Sequence, residues 1–513
     1  MRTLLSLWLG TIVVMATAQK NATPSLAPVF VSTNSDDNII PQNYIIVLKS
    51  PNNEVSFNDV RIQEGTSNSI LDKHFAWLNS RISLLAQSGE SKDETQIRHR
   101  YELPGVVGYS GKFSTELIDE IRSRPEVSYV EKDQLMHVSD RKFLHRAMTA
   151  FVESRLPLHV DGKTEDDLSR ESQDDYSSSR NHSFLESKQL ILRRLKTALP
   201  GILVIEGNLP DTFENAKLAK NPKQLNAPWG LQRISNKKLL PKASYEYPAS
   251  AGFGVSVYII DTGINIKHND FGGRAVWGKT IPEDDEDIDG NGHGTHCAGT
   301  VAGGKYGVAK RARVVAVKVL RTSGFGSNSD VIKGIEWAAR DHMNRVMIAR
   351  KLGLPKPRSV ANMSLGGGRS IILEDAVNAA VKAGIHFAVA AGNESEDACD
   401  FSPAAAEKAI TIGASTSTDA MAFFSNHGSC VDIFAPGHEI TSAWIGSSNA
   451  TNTISGTSMA SPHIAGILAL YLGERDYDPK TLKKLLLRNA SKDQLTDLPV
   501  ETPNLLANIQ NLL

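Results

Sequence analysis

From Ala227 onward, runs of buried-type apolar residues alternate with helix-patterned segments, and this alternation constrains the fold of the chain more than any other feature. The runs are VSVYIID, RVVAVKVL, SVANMSL, IHFAVAAG and AITIGAS. Between them lie segments such as SDVIKGIEWAARDH and ILEDAVNAAVKAG. Strands apolar on both faces must be covered on both faces, so the expected architecture is a doubly wound α/β domain, a parallel sheet with helices on each side. In such sheets sites form at the carboxyl ends of the strands, so the residues where each run stops are the first to inspect for chemistry.

The chain of 513 residues is too long for one ordinary domain. Upstream, NYIIVL reads as a strand, residues 68 to 88 as a helix, GVVGYSGKF as a strand, TELIDEIRSRP as a helix and SYVEKDQ as a strand. The order β-α-β-β-α-β over residues 43–137 suits a small α+β domain of the ferredoxin-like kind. Residues 138–226, acidic and serine-rich around DGKTEDDLSRESQDDYSSSR, read as a spacer that is removed. Residues 227–513 form the α/β domain. At the start, Arg2, an apolar run from Leu4 to Met15 and the ending Ala16-Thr17-Ala18 read as a signal peptide, 1–18. The run is shorter than the roughly 20 residues that cross a bilayer, and no later stretch is apolar enough, so no membrane span is expected. With 22% charged residues, a net charge of -1 and no polybasic arm, nucleic acid is not an expected partner.

Unusual residues stand at the strand ends. VSVYII stops at Asp261-Thr262-Gly263, a carboxylate followed by a glycine that turns the chain. Gly292-His293-Gly294-Thr295-His296-Cys297 offers a histidine among small neighbours. Gly456-Thr457-Ser458-Met459-Ala460 leads into the apolar helix HIAGILALYL. A serine hydroxyl is a poor nucleophile until an imidazole takes its proton, and that imidazole needs a carboxylate to fix its tautomer and stabilise its charge. At a helix N-terminus Ser458 also has unpaired backbone N–H groups facing the oxyanion formed during attack. Two metal readings fail: His293 and His296 lack the H-E-x-x-H glutamate of zinc peptidases, and the EF-hand-like run from Asp285 places His296 where the twelfth ligand belongs. That acidic run, Asp285 to Gly290, reads as a solvated loop.

DTGI, GHGTHCAGT and GTSMASPH resemble the three signature segments of the subtilisin-like serine proteases. The placing of Cys297 is similar to the proteinase K branch, with its fungal vacuolar endopeptidases of the cerevisin type. The resemblance implies Asp261, His293 and Ser458 as the catalytic triad and Asn393, in AAGN, as the oxyanion-hole side chain. It implies two extended segments that pair with a peptide substrate, Gly324-Phe325-Gly326 and Ser364-Leu365-Gly366, and a pocket wall at Ala391 and Gly392. It also implies a Cys399–Cys430 disulfide, leaving Cys297 free, and a structural calcium on Asp432 with backbone carbonyls. No cofactor is expected for catalysis. Residues 43–137 resemble the inhibitor-type propeptide of these enzymes.

The expected protein is thus a monomeric zymogen on the secretory route, extracellular or vacuolar. It would cleave proteins and peptides with broad, apolar-leaning specificity and process itself, its last cut falling between about 220 and 228. A kexin-like enzyme is disfavoured because about 55 residues follow Ser458. A dedicated processing enzyme or an inactive binding homologue are the competing readings. Of the sequons at Asn21, Asn181, Asn362, Asn393, Asn449 and Asn489, those at Asn181 and Asn449 stand in the most polar surroundings, and Asn393 is expected to be unmodified.

Overall fold

The computed structural model describes residues 26–32, 38–49, 70–87, 95–139, 221–240 and 244–513. The leader at 1–18, the sequons Asn21 and Asn181 and most of the spacer lie outside them. The N-terminal unit runs β1 (Ile39–Leu48), α1 (Ile70–Gln87), β2 (Gln96–Leu103), β3 (Val106–Lys112), α2 (Thr115–Arg122) and β4 (Val127–Val138). Its sheet has the order β4-β1-β3-β2, with Phe75, Leu78, Leu117 and Ile121 of the two helices buried against it. Strand β2 completes the expected β-α-β-β-α-β order, although no apolar run marked its residues. Its inward positions are His99, Tyr101 and Leu103 rather than a run of aliphatic side chains.

The α/β unit is built from β5 (Val255–Asp261), β6 (Ala275–Thr280), α3 (His293–Ala302), β7 (Arg313–Lys318), β8 (Phe325–Ser327), α4 (Asn328–Leu352), β9 (Arg358–Met363), β10 (Leu365–Gly368), α5 (Ile371–Lys382), β11 (His386–Ala390), β12 (Ile410–Ser415), β13 (Ile433–Pro436), α6 (Thr457–Glu474) and α7 (Pro479–Asn489). The central sheet runs β6-β7-β5-β9-β11-β12-β13, all parallel, and two short strands at 505–506 and 491–492 extend it to nine. Strand order reverses at β5. Successive residues of β5 enter opposite cores: Val257 and Ile259 join α3 and α6, whereas Tyr258 and Ile260 join α4 and α5. Burial on both faces is why these strands read as unbroken apolar runs.

Two boundaries differ from expectation. Helix α4 continues past the expected stop near His342 to Leu352, where Gly353 at φ 62° closes it in the left-handed conformation. Residues 221–226, grouped with the spacer by composition, belong to the α/β unit: Lys223–Gln224 pairs with Tyr245–Glu246, and Asn221 donates to the Leu513 carbonyl at 3.2 Å.

The two units share a sheet. The end of β4 lies antiparallel between β8 and β10, with His137 opposite Phe325 on one side and Gly366 on the other. Next to this seam two carboxylates of β4 cap helices of the other unit. Glu131 accepts from Ser370 Oγ and from the N–H groups of Ile371 (3.1 Å) and Ile372 (3.3 Å) at the start of α5, while Asp133 accepts from Ser329 N (3.1 Å) and Oγ (2.6 Å) in the first turn of α4. Burial pushes Glu131 up to about 7 and Asp133 up to about 6, against the pull of these donors. Asp330, which meets His99 Nε2 at 2.6 Å, adds negative charge beside Asp133.

A carboxyl whose pKa rises on docking carries more protons in the complex than when free, so the interaction is strongest below the ordinary carboxyl range near 4 and is lost as pH climbs through about 6 to 7. The N-terminal unit added in trans is therefore expected to bind the α/β unit roughly tenfold or more tightly at pH 5 than at pH 8. Titrating its inhibition of the mature enzyme at both pH values tests this; weaker binding at pH 5 would contradict the assignment.

Candidate active site

The chain turns at Gly263 directly after β5, and α3 packs so closely on that turn that a Cβ at Gly294 would collide with the Gly263 carbonyl. This contact sets the start of α3 beside the end of β5. His293 Nδ1 lies 2.8 and 3.0 Å from the two carboxylate oxygens of Asp261, and both residues are buried. Burial alone would depress the imidazole pKa; the neighbouring Asp261 carboxylate outweighs it and holds the ring well above the ordinary histidine range.

The acidic loop before α3 is exposed at Glu286 and Asp287, as expected of a solvated run, but Asp289 departs from it. Asp289 is buried and accepts from Thr262 Oγ1 (2.9 Å), Asn291 N (3.1 Å), Gly292 N (2.8 Å), Thr295 N (2.9 Å) and Thr295 Oγ1 (2.6 Å). It ties the residues flanking His293 to the residue following Asp261. Asp285 in the same run pairs with the buried Lys318 at 3.2 Å.

Ser458 stands in the first turn of α6, with its hydroxyl donating to the Ser364 carbonyl at 2.9 Å. His293 Nε2 is buried and has no hydrogen-bond partner among the described residues. Asn393 follows β11 and Gly392, whose φ of 105° and lack of a Cβ let the chain pass Asn426. Its Oδ1 accepts from Thr457 N (2.9 Å) and Thr457 Oγ1 (3.0 Å), which turns the amide nitrogen toward the site. That nitrogen donates to the carbonyl of Ser139, just beyond β4, at 2.5 Å.

The expected substrate segments flank the same strand. Val138 N donates to Gly324 O at 3.1 Å, and Ser139 N to Ser364 O at 3.3 Å. Met136 and Val138 are buried between these edges, whereas Leu135 and His137 are half-buried. Ala391 is buried and Gly392 N donates to Thr457 Oγ1 at 3.2 Å, so this wall is backbone and methyl groups. A carbonyl fixed beside a serine, an imidazole–carboxylate pair and an amide donor is the arrangement that acyl transfer requires.

Residues 252–507 match the model of the subtilase family, and residues 43–139 match that of the peptidase inhibitor I9 family. A subtilisin-like protease of Coccidioides posadasii is 44% identical, the match covering 94% of this chain and 83% of that protein. The subtilisin-like serine protease Pen c 2 of Penicillium citrinum is 43% identical over 94% and 90%, and alkaline protease 2 of Aspergillus fumigatus 42% over 94% and 83%. The chain belongs to the subtilase family. It is a serine endopeptidase that carries its own I9-type inhibitor as a propeptide. Among solved structures, a cold adapted subtilisin-like serine proteinase matches 55% of this chain and 98% of its own at 46% identity, with a TM-score of 0.51.

Other expected residues fall as follows. Cys399 and Cys430 of the protease form a disulfide, and Cys297 is free and buried. Asp432 does not fit a calcium ligand, because its Oδ2 already meets the Lys483 ammonium at 2.8 Å. His296 turns from the site to the Ile440 carbonyl at 2.9 Å, and burial drops it to about 3, so it stays neutral. Of the sequons, Asn362 is buried and bonded to Ser364 Oγ and Ser461 Oγ, Asn393 is committed to the site, and Asn449 is exposed. Sequence reasoning missed Thr457 and Asp289. Their signals were present, a hydroxyl beside the serine and an aspartate four residues before the histidine, but their partners lie far off in sequence. No helix among the described residues is long and apolar enough to cross a membrane.

Cys297 Sγ lies 3.9 Å from His293 Nδ1 and donates to Ser458 O at 3.5 Å, while burial pushes the thiol above the ordinary cysteine range. That direction favours the thiol over the thiolate. The ligand atoms of Asp261, His293 and Cys297 lie within 4.8 Å of one another, so a mercurial bound at the sulfur is expected to displace the imidazole. Cys297→Ala is expected to keep peptidase activity within about threefold and to lose mercurial inhibition; a dead but folded variant would show that the thiol takes part.

Proposed function

We propose that Ser458 is the nucleophile, His293 its general base and Asp261 the group that orients the base, and that their first substrate is the Ser139–Asp140 bond of the same chain. The observation that carries this reading is the Ser139 carbonyl, bonded to Asn393 Nδ2 at 2.5 Å while its own N–H is held by Ser364 O. In this reading the Ser458 hydroxyl leaves Ser364 O, turns to His293 Nε2 and attacks that carbonyl. Attack passes the hydroxyl proton to Nε2, and the imidazolium is stabilised by Asp261. The oxyanion takes Asn393 Nδ2 and backbone N–H at the start of α6. The proton then goes to the amide nitrogen of Asp140 as the C–N bond breaks, and water releases the acyl group.

After this cut, residues 135–139 remain as a product strand between β8 and β10 and block the cleft until they leave. A later cut upstream of Asn221 removes the spacer without breaking the Lys223–Gln224 pairing. The buried Met136 and Val138 side chains and the methyl-lined wall favour a broad enzyme that reads alternate apolar residues of its protein substrates. A secretory route, to the exterior or the vacuole, rests on the leader pattern and on a disulfide that forms in oxidising compartments.

Purified precursor is expected to yield a new N-terminus at Asp140, and Ser458→Ala precursor to remain one chain; a Ser458→Ala precursor that splits alone at this bond rules out self-cleavage. Because the base works only when neutral, and Asp261 raises its pKa, kcat/KM of the mature enzyme should rise with pH along a limb lying above the ordinary histidine range near 6.5. Asp261→Asn should move this limb downward and reduce kcat by about 10⁴-fold. An unchanged limb in that variant would remove Asp261 from the role.

A further inference from the structure

The calcium expected on Asp432 meets a competitor that the chain itself supplies. Asp432 precedes β13, and its Oδ2 accepts from Thr411 N at 2.9 Å and from Lys483 Nζ at 2.8 Å. The same ammonium donates to the carbonyls of Ala409 at 2.6 Å and Glu407 at 3.4 Å, in the segment entering β12. One carboxylate oxygen and two backbone carbonyls from separate segments thus converge on a single cation. These are the hard oxygen donors that a calcium ion takes. An ammonium has three N–H donors, and here each has one oxygen.

We propose that Lys483 is a resident cation, delivered by α7, that occupies a calcium-type oxygen site and makes this corner of the protease independent of the metal. The side chains of Lys483 and Asp432 are only 23% and 20% exposed, so the pair is shielded from the screening that weakens surface ion pairs. A divalent ion coordinated by Asp432 Oδ2 would sit within a few ångströms of the ammonium, and repulsion between the two would expel it. The mechanical role of the ion passes to the lysine: it fastens α7 to the loop before β12 and to the start of β13, next to the disulfide-bonded Cys430.

The test uses the full chain made inactive by Ser458→Ala, so that self-cleavage does not disturb melting. With Lys483 present, the Tm is expected to be the same in chelator and in millimolar calcium. Lys483→Ser should lower the Tm in chelator by roughly 3–8 °C. Millimolar calcium, but not magnesium, which demands a tighter octahedral shell, should restore most of that loss, and adding Asp432→Asn should abolish the rescue. The proposal is overturned if calcium raises the Tm of the lysine-containing chain as much as that of Lys483→Ser, or if calcium does not mend the serine variant. Should Lys483→Ser not fold, calorimetric titration of the lysine-containing chain decides: calcium binding that Asp432→Asn removes overturns the idea, and no such binding supports it.

Discussion

The hydrogen bond from Asn393 to the Ser139 carbonyl joins the halves of this molecule, since its acceptor follows β4 of the inhibitor unit and its donor follows β11 of the α/β unit. An asparagine amide placed loosely would offer either its oxygen or its nitrogen. Here Thr457 removes the choice by giving the oxygen two donors, one from backbone and one from its hydroxyl. Thr457 opens α6, and the next residue is Ser458, so one helix terminus fixes the orientation of the amide and positions the hydroxyl. Burial strengthens the arrangement, because donors aimed at a carbonyl away from water need no reorganisation when charge develops on it.

That bond holds only because β4 arrives in register. The strand is pinned near its end by backbone pairing on both edges, and further back by Glu131 and Asp133 at the starts of α5 and α4. The two kinds of contact differ in physical character. Backbone pairing is indifferent to side chains, so a substrate can replace the propeptide strand there. Burying two carboxylates is costly, and it is offset only by serine hydroxyls and helix N–H groups that an ordinary substrate would not engage. The propeptide is therefore held both by the paired edges and by buried carboxylates that lie outside them.

The parts of this design legible in the sequence are those in which residue type and position coincide. Asp261 stops an apolar run, Ser458 starts an apolar helix, and His293 sits among glycines that allow close approach, so local pattern marked them and the resemblance of DTGI, GHGTHCAGT and GTSMASPH singled them out. The parts that were hidden depend on partners distant in the chain. Asp289 looked like one more solvated acid until its neighbours at 262, 291, 292 and 295 folded around it. Strand β2 buries His99 and Tyr101 rather than aliphatic residues, and Lys483 looks like any lysine on an amphipathic helix. Ser139, a small polar residue at the edge of an acidic stretch, carries no local mark of being the carbonyl in the site.

The resting position of the Ser458 hydroxyl bears on how the site becomes reactive. Ser364 O accepts from the hydroxyl at 2.9 Å and from Ser139 N at 3.3 Å, so nucleophile and bound strand share one oxygen. Meanwhile His293 Nε2 is buried without a partner among the described residues. Once the ring is neutral, an unmet buried acceptor costs about 1–3 kcal/mol, which is comparable to what the hydroxyl gains from its present bond. Shortening the Ser139 N–H bond would weaken the hold of the shared carbonyl on the hydroxyl, and rotation toward Nε2 would satisfy the imidazole. With Ser458 as the proposed nucleophile, tight seating of a peptide would favour the rotamer that attacks it. A peptide bound in poor register would leave the hydroxyl on Ser364 O, coupling the backbone pairing of β8 and β10 to the chemistry proposed at Ser458.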